Sequence, residues 1–220
     1  MFLTNGAGRS VVETGFRYRD ALRLLFILHA GARPIEQPDP NGAVAVFEGE
    51  KRLMAIDFWI RYPDHLANHL LDLYVETKDP KLLAEIESIF DQEEPDVRLI
   101  KVLRWRYGAF DRIEDALAIL SARNLVKPMK KKIPTGSQHD FLIFPSASSF
   151  LKTAVQDQPD LKWYQDRTRL ALLIAGDKSG SSLKAMQYET PEYGNTMLSA
   201  VIPSIKDRVH QRLKDVKAGK

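Results

Sequence analysis

The stretch RNLVKPMKKKIPTGSQHDFLIF, Arg123 to Phe144, most constrains what this chain can fold into. It sets an apolar residue pair, four lysines, a Pro-Thr-Gly turn signal and an apolar β-like run directly behind an amphipathic helix. Leu125 to Met129 and Phe141 to Phe144 are expected to be the two strands of a hairpin, with PTGSQ as the turn. A helix followed by a basic hairpin is the outline of a winged-helix unit.

Helical periodicity dominates the rest. Arg17 to Ala30 carries Tyr18, Ala21, Leu22, Leu25 and Leu28 on one stripe and stops at Gly31. PIEQPDPNG is a loop, and Ala43 to Phe47 a short strand. Helices are expected over Lys51 to Tyr62, Asp64 to Thr77, Lys81 to Phe90 and Val97 to Tyr107, and then from a cap at Asp111 to Asn124. Beyond Pro145 they follow over Ser148 to Gln156, Asp160 to Ala175 with Asp160 as cap, and Ser182 to Tyr188. The resulting expectation is a mainly α protein containing a winged-helix unit with a small β-hairpin. It divides into an N-terminal helical region (1–78), the winged-helix unit (79–146) and a C-terminal helical region (147–220), possible as one compact domain.

The 220 residues are 44% hydrophobic, enough for a sizeable core. There is no cysteine, hence no disulfide or thiol chemistry, which fits a reducing compartment. Met1 to Val12 has no apolar signal core, and Leu22 to Ala30 is interrupted by Arg23 and shorter than the roughly 20 residues of a membrane span. A cytoplasmic protein with no membrane association is expected. Charge is segregated: Glu76 to Asp96 holds eight acids against two lysines, whereas Arg98 to Ile133 holds ten Lys and Arg against three acids. Such blocks favour oriented contacts with partners.

Motifs for chemistry are sparse. NGAGRS and GDKSGSS lack the G-x-x-x-x-G-K-S/T spacing of a phosphate loop and are expected to be loops or caps. His65, His69 and Asp72 share a helix face with metal-compatible spacing but lack the glutamate of H-E-x-x-H, so packing is the simpler role. Asp140 with Asp160 and Lys162 is the nearest approach to a nuclease carboxylate cluster, and no nucleophile elbow occurs. No catalytic residue, metal or cofactor is expected. Asp57 and Arg61, four apart, are expected to pair. Lys127, Lys130, Lys131 and Lys132 admit three readings: a solvated surface, phosphate contact with double-stranded DNA, or docking on an acidic protein face. Arg98, Lys101, Arg104 and Arg106 would enlarge that field, with Trp105 and Tyr107 beside them. At the C-terminus, Ile202, Ile205, Val209, Leu213 and Val216 trace one helical stripe, either core or a partner-docking face.

Two passages carry a resemblance. KRLMAIDFWIRYPDHLANHLL, Lys51 to Leu71, and RLIKVLRWRYGAFDRIEDALAILSARNLV, Arg98 to Val126, resemble the middle component of bacterial three-component ABC systems. Asn124 stands where that pattern has glycine, and Ala109-Phe110 where it has Pro-Trp. The resemblance implies a non-catalytic accessory subunit joining an SMC-like or Rad50-like ABC ATPase to an effector, often a nuclease, in Lamassu-type defence against phage or plasmids. The alternative is a free-standing winged-helix transcription regulator reading bases with the helix Asp111 to Asn124. The acids Glu114 and Asp115 on that helix count against it.

Overall fold

Strands far apart in the chain build the main sheet. In the computed structural model, which describes residues 6–36, 39–94, 98, 100–105, 108–110, 113–134 and 136–219, β2 (Ala45–Phe47) pairs with β6 (Gly136–Ile143) so that Phe47 lies opposite Phe141. β5 (Val126–Ile133) lies on the other side of β6, and β1 (Arg33–Pro34) beyond β2, giving an antiparallel sheet of order β1-β2-β6-β5. The protein is mainly helical, and this sheet with its hairpin is the larger of two small sheets.

The chain forms two units, one of residues 1–50 and 112–164 and the other of residues 51–111 and 165–220. In the first, helix α1 (Gly6–Ala30) packs on α5 (Glu114–Ala122) and α6 (Pro145–Asp157), and α5 packs on β5. Helix α1, strand β2, helix α5 and hairpin β5–β6 follow one another in this unit, with the second unit's residues 51–111 inserted between β2 and α5. The contiguous segment 79–146 is thus shared between the units, and the partner helix of α5 is α1. Leu24, Leu25, Ile27, Leu28, Phe47, Leu120, Val126 and Phe141 are buried. Each such side chain contributes about 1.5 to 3 kcal/mol of burial free energy. Helix α1 begins at Gly6, well before Arg17, so the described part of NGAGRS is helix and not loop.

Asn124, with φ 52°, ends α5 in the left-handed region, where asparagine is the best tolerated substitute for glycine. Its N–H bonds the Ser121 carbonyl, and Leu125 N–H bonds that of Leu120. The chain then turns directly into β5. Pairing in the hairpin runs from Val126 opposite Ile143 to Ile133 opposite Gly136, longer than the expected strands, so the lysines lie within β5.

In the second unit, α2 (Glu50–Arg61, shared at its first residue with the other unit), α3 (Pro63–Thr77) and α4 (Pro80–Asp91) follow the expected periodicity. Prolines stand at the first helical positions of α3 and α4, where no N–H is needed, and Asp79 caps α4 through Lys81 N–H at 2.9 Å. At the described residues 98 and 100–105 the helix expected over Val97 to Tyr107 is absent. Leu103–Trp105 is a strand, β3, paired with β4 (Gly108–Phe110), and Leu103 bridges to Val201. Val97, Arg106, Tyr107 and the cap Asp111 lie outside the described residues. Helices α7 (Lys162–Ala175), α8 (Gly180–Tyr188), α9 (Pro191–Gly194) and α10 (Lys206–Lys217) complete the chain. Asp160 sits exposed in a 3-10 turn, Pro159–Leu161, and caps nothing. No helix among the described residues is long and apolar enough to cross a membrane.

Candidate functional site

Among the described residues, several of the singled-out cations stand together in the basic hairpin. Residues 127–132 of β5 are all exposed, on a strand that forms the edge of the sheet. Strand alternation sends Lys127 and Lys131 to one face and Lys130 and Lys132 to the other, so the wing is cationic on both sides. Lys127 Nζ lies 3.4 Å from Asn41 Oδ1, whereas Lys130, Lys131 and Lys132 have no hydrogen-bond or ion-pair partner among the described residues. Lys131 lies within the field of Glu48, whose carboxyl is held below its ordinary range by the hydrogen bond from Arg33 and, to a lesser degree, by Lys131. Opposite Lys130 stands His139, its Nδ1 2.7 Å from Glu50 Oε2. Lysines and a proline on an edge strand also discourage pairing with another strand, a role that needs only exposure. Chemically the wing can attract phosphates or carboxylates.

Helix α5, which precedes the hairpin, is differently equipped. Glu114, Asp115, Ala118, Ser121 and Ala122 are exposed along it, and Asp115 pairs with Arg17 at 3.4 Å. The nearest cation of its own is Arg123, placed over the Tyr18 ring at 5.3 Å.

Arg98, Lys101 and Arg104 belong to the second unit and serve its own structure in part. The Arg104 guanidinium donates to the Thr196 carbonyl and lies over the Tyr188 ring at 5.0 Å, so it is committed to packing and is no free DNA contact. Lys101 is exposed, while its carbonyl accepts from Arg61 at 3.0 Å; Arg98 is engaged within the protein.

The C-terminal stripe is turned inward. Ile202, Ile205, Val209 and Leu213 are 1%, 3%, 0% and 5% exposed, and α10 packs on α3. A partner helix built on Ile205, Val209, Leu213 and Val216 is therefore corrected to core, with Val216 half-buried at its end. Ile202 belongs to an extended segment and not to the helix: its N–H bonds the Val102 carbonyl at 3.0 Å and its carbonyl accepts from Tyr62 Oη at 2.8 Å.

The charged and aromatic residues of α2 and α3 form the buried support for that segment. Asp57 and Arg61 pair at 3.6 Å, and Arg61 also donates to the Ile100 carbonyl at 3.2 Å. Phe58, Trp59 and Tyr62 are buried. His65 Nε2 lies 3.1 Å from the Pro203 carbonyl oxygen, and burial holds its imidazole below the ordinary value. His69 instead approaches Asp72 at 3.5 Å, and Asp72 accepts from Arg212 at 2.6 Å. Burial alone would raise the Asp72 carboxyl; the bonds from His69 and Arg212 overcome this and leave it below its ordinary value. Among the described residues no three metal-ligating side chains are grouped to hold an ion. Asp140 accepts from Gly49 N–H at 2.9 Å and from Gln138 at 2.6 Å, which makes it a buried structural acceptor. GDKSGSS is a clamped turn: Arg52 donates to the Gly176 carbonyl at 2.7 Å and to the Lys178 carbonyl, and Ser179 caps α8.

One feature had no local signal. Two adjoining clefts of about 530 and 330 Å³ share His69, Asp72, Glu189 and Arg212. Glu76, on α3, and Glu189, just after α8, line the larger cleft together although they lie far apart in the chain.

Comparison of the chain with protein-family models, with curated proteins and with solved structures finds no match.

Proposed function

We propose that this chain is a non-catalytic accessory subunit that joins an SMC-like or Rad50-like ABC ATPase to an effector in bacterial defence, using the winged-helix unit as a charged contact module. The reading starts from the resemblance of Lys51 to Leu71 and Arg98 to Val126 to middle components of three-component systems. The observation that carries its physical side is the division of charge within the first unit. The wing presents four exposed lysines, while α5 presents two acids and small side chains. That combination suits sequence-independent contact with a polyanion, double-stranded DNA in the first place, and disfavours base reading by α5. A free-standing transcription regulator would need the opposite distribution.

The test uses the subunit together with an SMC-like or Rad50-like ATPase, should a neighbouring gene encode one. The two should co-purify, and the subunit alone should turn over neither ATP nor plasmid. Reversing Lys127, Lys130, Lys131 and Lys132 to glutamate should leave the melting temperature unchanged, because exposed strand residues contribute little to the core. DNA affinity of the assembled complex should fall alike for all sequences, with the salt slope reduced by roughly 0.9 for each phosphate that is no longer neutralised. Sequence-selective binding by the free subunit, or turnover that tracks it through purification, would replace this reading.

A further inference from the structure

We propose that the basic hairpin enters the major groove of duplex DNA edge-on, β5 first, and holds a phosphate strand on each of its two faces. The proposal rests on the reading of the hairpin as a DNA contact and adds the form of nucleic acid and the groove. β5 is the outer strand of its sheet, and every residue from Lys127 to Lys132 is exposed. Cross-strand register puts Lys127 and Lys131 on the face of Leu142, Asp140 and Gln138, and Lys130 and Lys132 on the face of Phe141, His139 and Ser137. β2 pairs with β6 only at Phe141, Leu142 and Ile143, so from Gly136 to Asp140 the hairpin is a two-stranded ribbon. The acids beside it are occupied. Asp140 is buried and accepts from Gly49 and Gln138, Glu48 pairs with Arg33 at 2.7 Å, and Glu50 meets His139 at 2.7 Å.

Cations on both faces of one edge suit a ligand with a phosphate wall on each side. A single strand has one line of phosphates and is held largely by stacking on aromatic rings; in the ribbon Phe141 is buried and His139 is tied to Glu50. A duplex groove has two such walls. Thickness then selects the groove. Sheets packed face to face stand about 10 Å apart, which measures one sheet with its side chains. That fits the major groove, about 12 Å wide, and not the minor groove, about 6 Å wide. The major groove is also about 8.5 Å deep, enough for two strands spaced about 4.8 Å apart. β5 then lies at the floor and β6 near the rim, with lysines directed to both walls. The free edge brings backbone groups to the base edges, which keeps the contact tolerant of sequence. Helix α5, with Glu114 and Asp115 exposed, does not compete for the groove.

The experiment measures fluorescence anisotropy of the intact chain at about 50 mM salt with a labelled duplex of about 20 base pairs and with its single strand. Two modified probes block one groove each. A duplex carrying glucosylated 5-hydroxymethylcytosine has neutral sugars in the major groove, and an A·T-rich duplex saturated with netropsin has its minor groove filled. The plain duplex should bind more tightly than the single strand. Glucosylation should weaken binding about tenfold or more, and netropsin should leave it within about threefold. Lys127→Gln with Lys131→Gln, and Lys130→Gln with Lys132→Gln, should each flatten the salt slope by roughly 1.8, twice 0.9, because each pair serves one phosphate strand. All four positions are exposed, so melting temperatures should stay at the native value. No duplex binding, or binding indifferent to all four lysines, overturns the DNA-contact reading and this proposal with it. Binding through the lysines that glucosylation leaves intact, that netropsin abolishes, that a single strand matches, or that only one lysine pair carries overturns this proposal alone.

Discussion

Asp64, on α3, accepts the backbone N–H of Ile205 at 2.6 Å through the same carboxylate oxygen that accepts Ser204 Oγ at 2.6 Å. Ile205 is the N-cap residue of α10 and has no side chain able to cap it. Asp64 therefore supplies from another helix the acceptor that the local sequence lacks, and adds a negative charge at the positive end of α10. Hydrogen bonds to a buried charged group contribute about 1.5 to 3 kcal/mol each, so Asp64→Ala should destabilise the protein by about 3 kcal/mol or more in urea unfolding. Asp64→Asn, which keeps an acceptor oxygen, should be less destabilising. Equal destabilisation in the two variants would show that charge, not acceptor geometry, is what Ile205 requires.

The docking of α10 on α3 makes a second expectation. Val209 and Leu213 are 0% and 5% exposed, so Leu213→Ala should cost about 2 to 4 kcal/mol. Val209→Asp with Leu213→Asp would place two unpaired carboxylates against α3 and should abolish cooperative thermal unfolding of the isolated chain. A double variant that melts like the native protein would return the stripe to the surface.

The same elements mark where the sequence was informative. Helices α2 to α8, except for their ends, follow from apolar spacing and proline placement, although α2 and the first turns of α3 bury every residue from Ala55 to Ala67 and not a single stripe. The hairpin was legible in outline, but its strands reach through the lysines to Ile133, since an edge strand exposed on both faces shows no alternation to detect. Val97 to Tyr107 has helix-like spacing, yet Val102 is held extended by Tyr62 Oη, which accepts its N–H at 3.0 Å, and by Ile202. Tertiary partners outweighed local propensity there. Pairing of Phe47 with Phe141 across the inserted segment, and the shared cleft of Glu76 and Glu189, depend on residues far apart in the chain. Neither leaves a periodic trace.

Trp59 separates packing from hydrogen bonding. It is fully buried, its ring meets that of His69 edge-on at 5.4 Å, and its indole Nε1–H has no partner among the described residues. Trp59→Phe removes an unsatisfied donor along with part of the ring, so it should cost only about 1 to 2 kcal/mol, against about 3 to 5 kcal/mol for Trp59→Ala. Chemical denaturation of both variants compares them directly. A phenylalanine variant as unstable as the alanine one would mean that the indole N–H is bonded after all.

His65 gives the second unit a pH dependence with a definite sign. Burial lowers its pKa from 6.5, opposed by the Asp64 charge and the Pro203 carbonyl and more weakly by Glu192, while His69 acts with burial. The rings of Phe58, Tyr62 and Tyr193 surround it and offer no compensating charge. Between the folded-state pKa and about 6.5 the unfolded chain binds more protons than the folded one, so stability is full above about pH 6.5 and declines as pH falls through that window. His29, in the first unit, is also lowered by burial and acts in the same direction, so the comparison must hold it constant. His65→Gln keeps an N–H for the Pro203 carbonyl and cannot titrate. The native melting temperature should drop from neutral pH to about pH 5.5, and the variant's should drop less. Parallel pH profiles for the two proteins would show that His65 takes up its proton in the folded state as readily as in the unfolded chain.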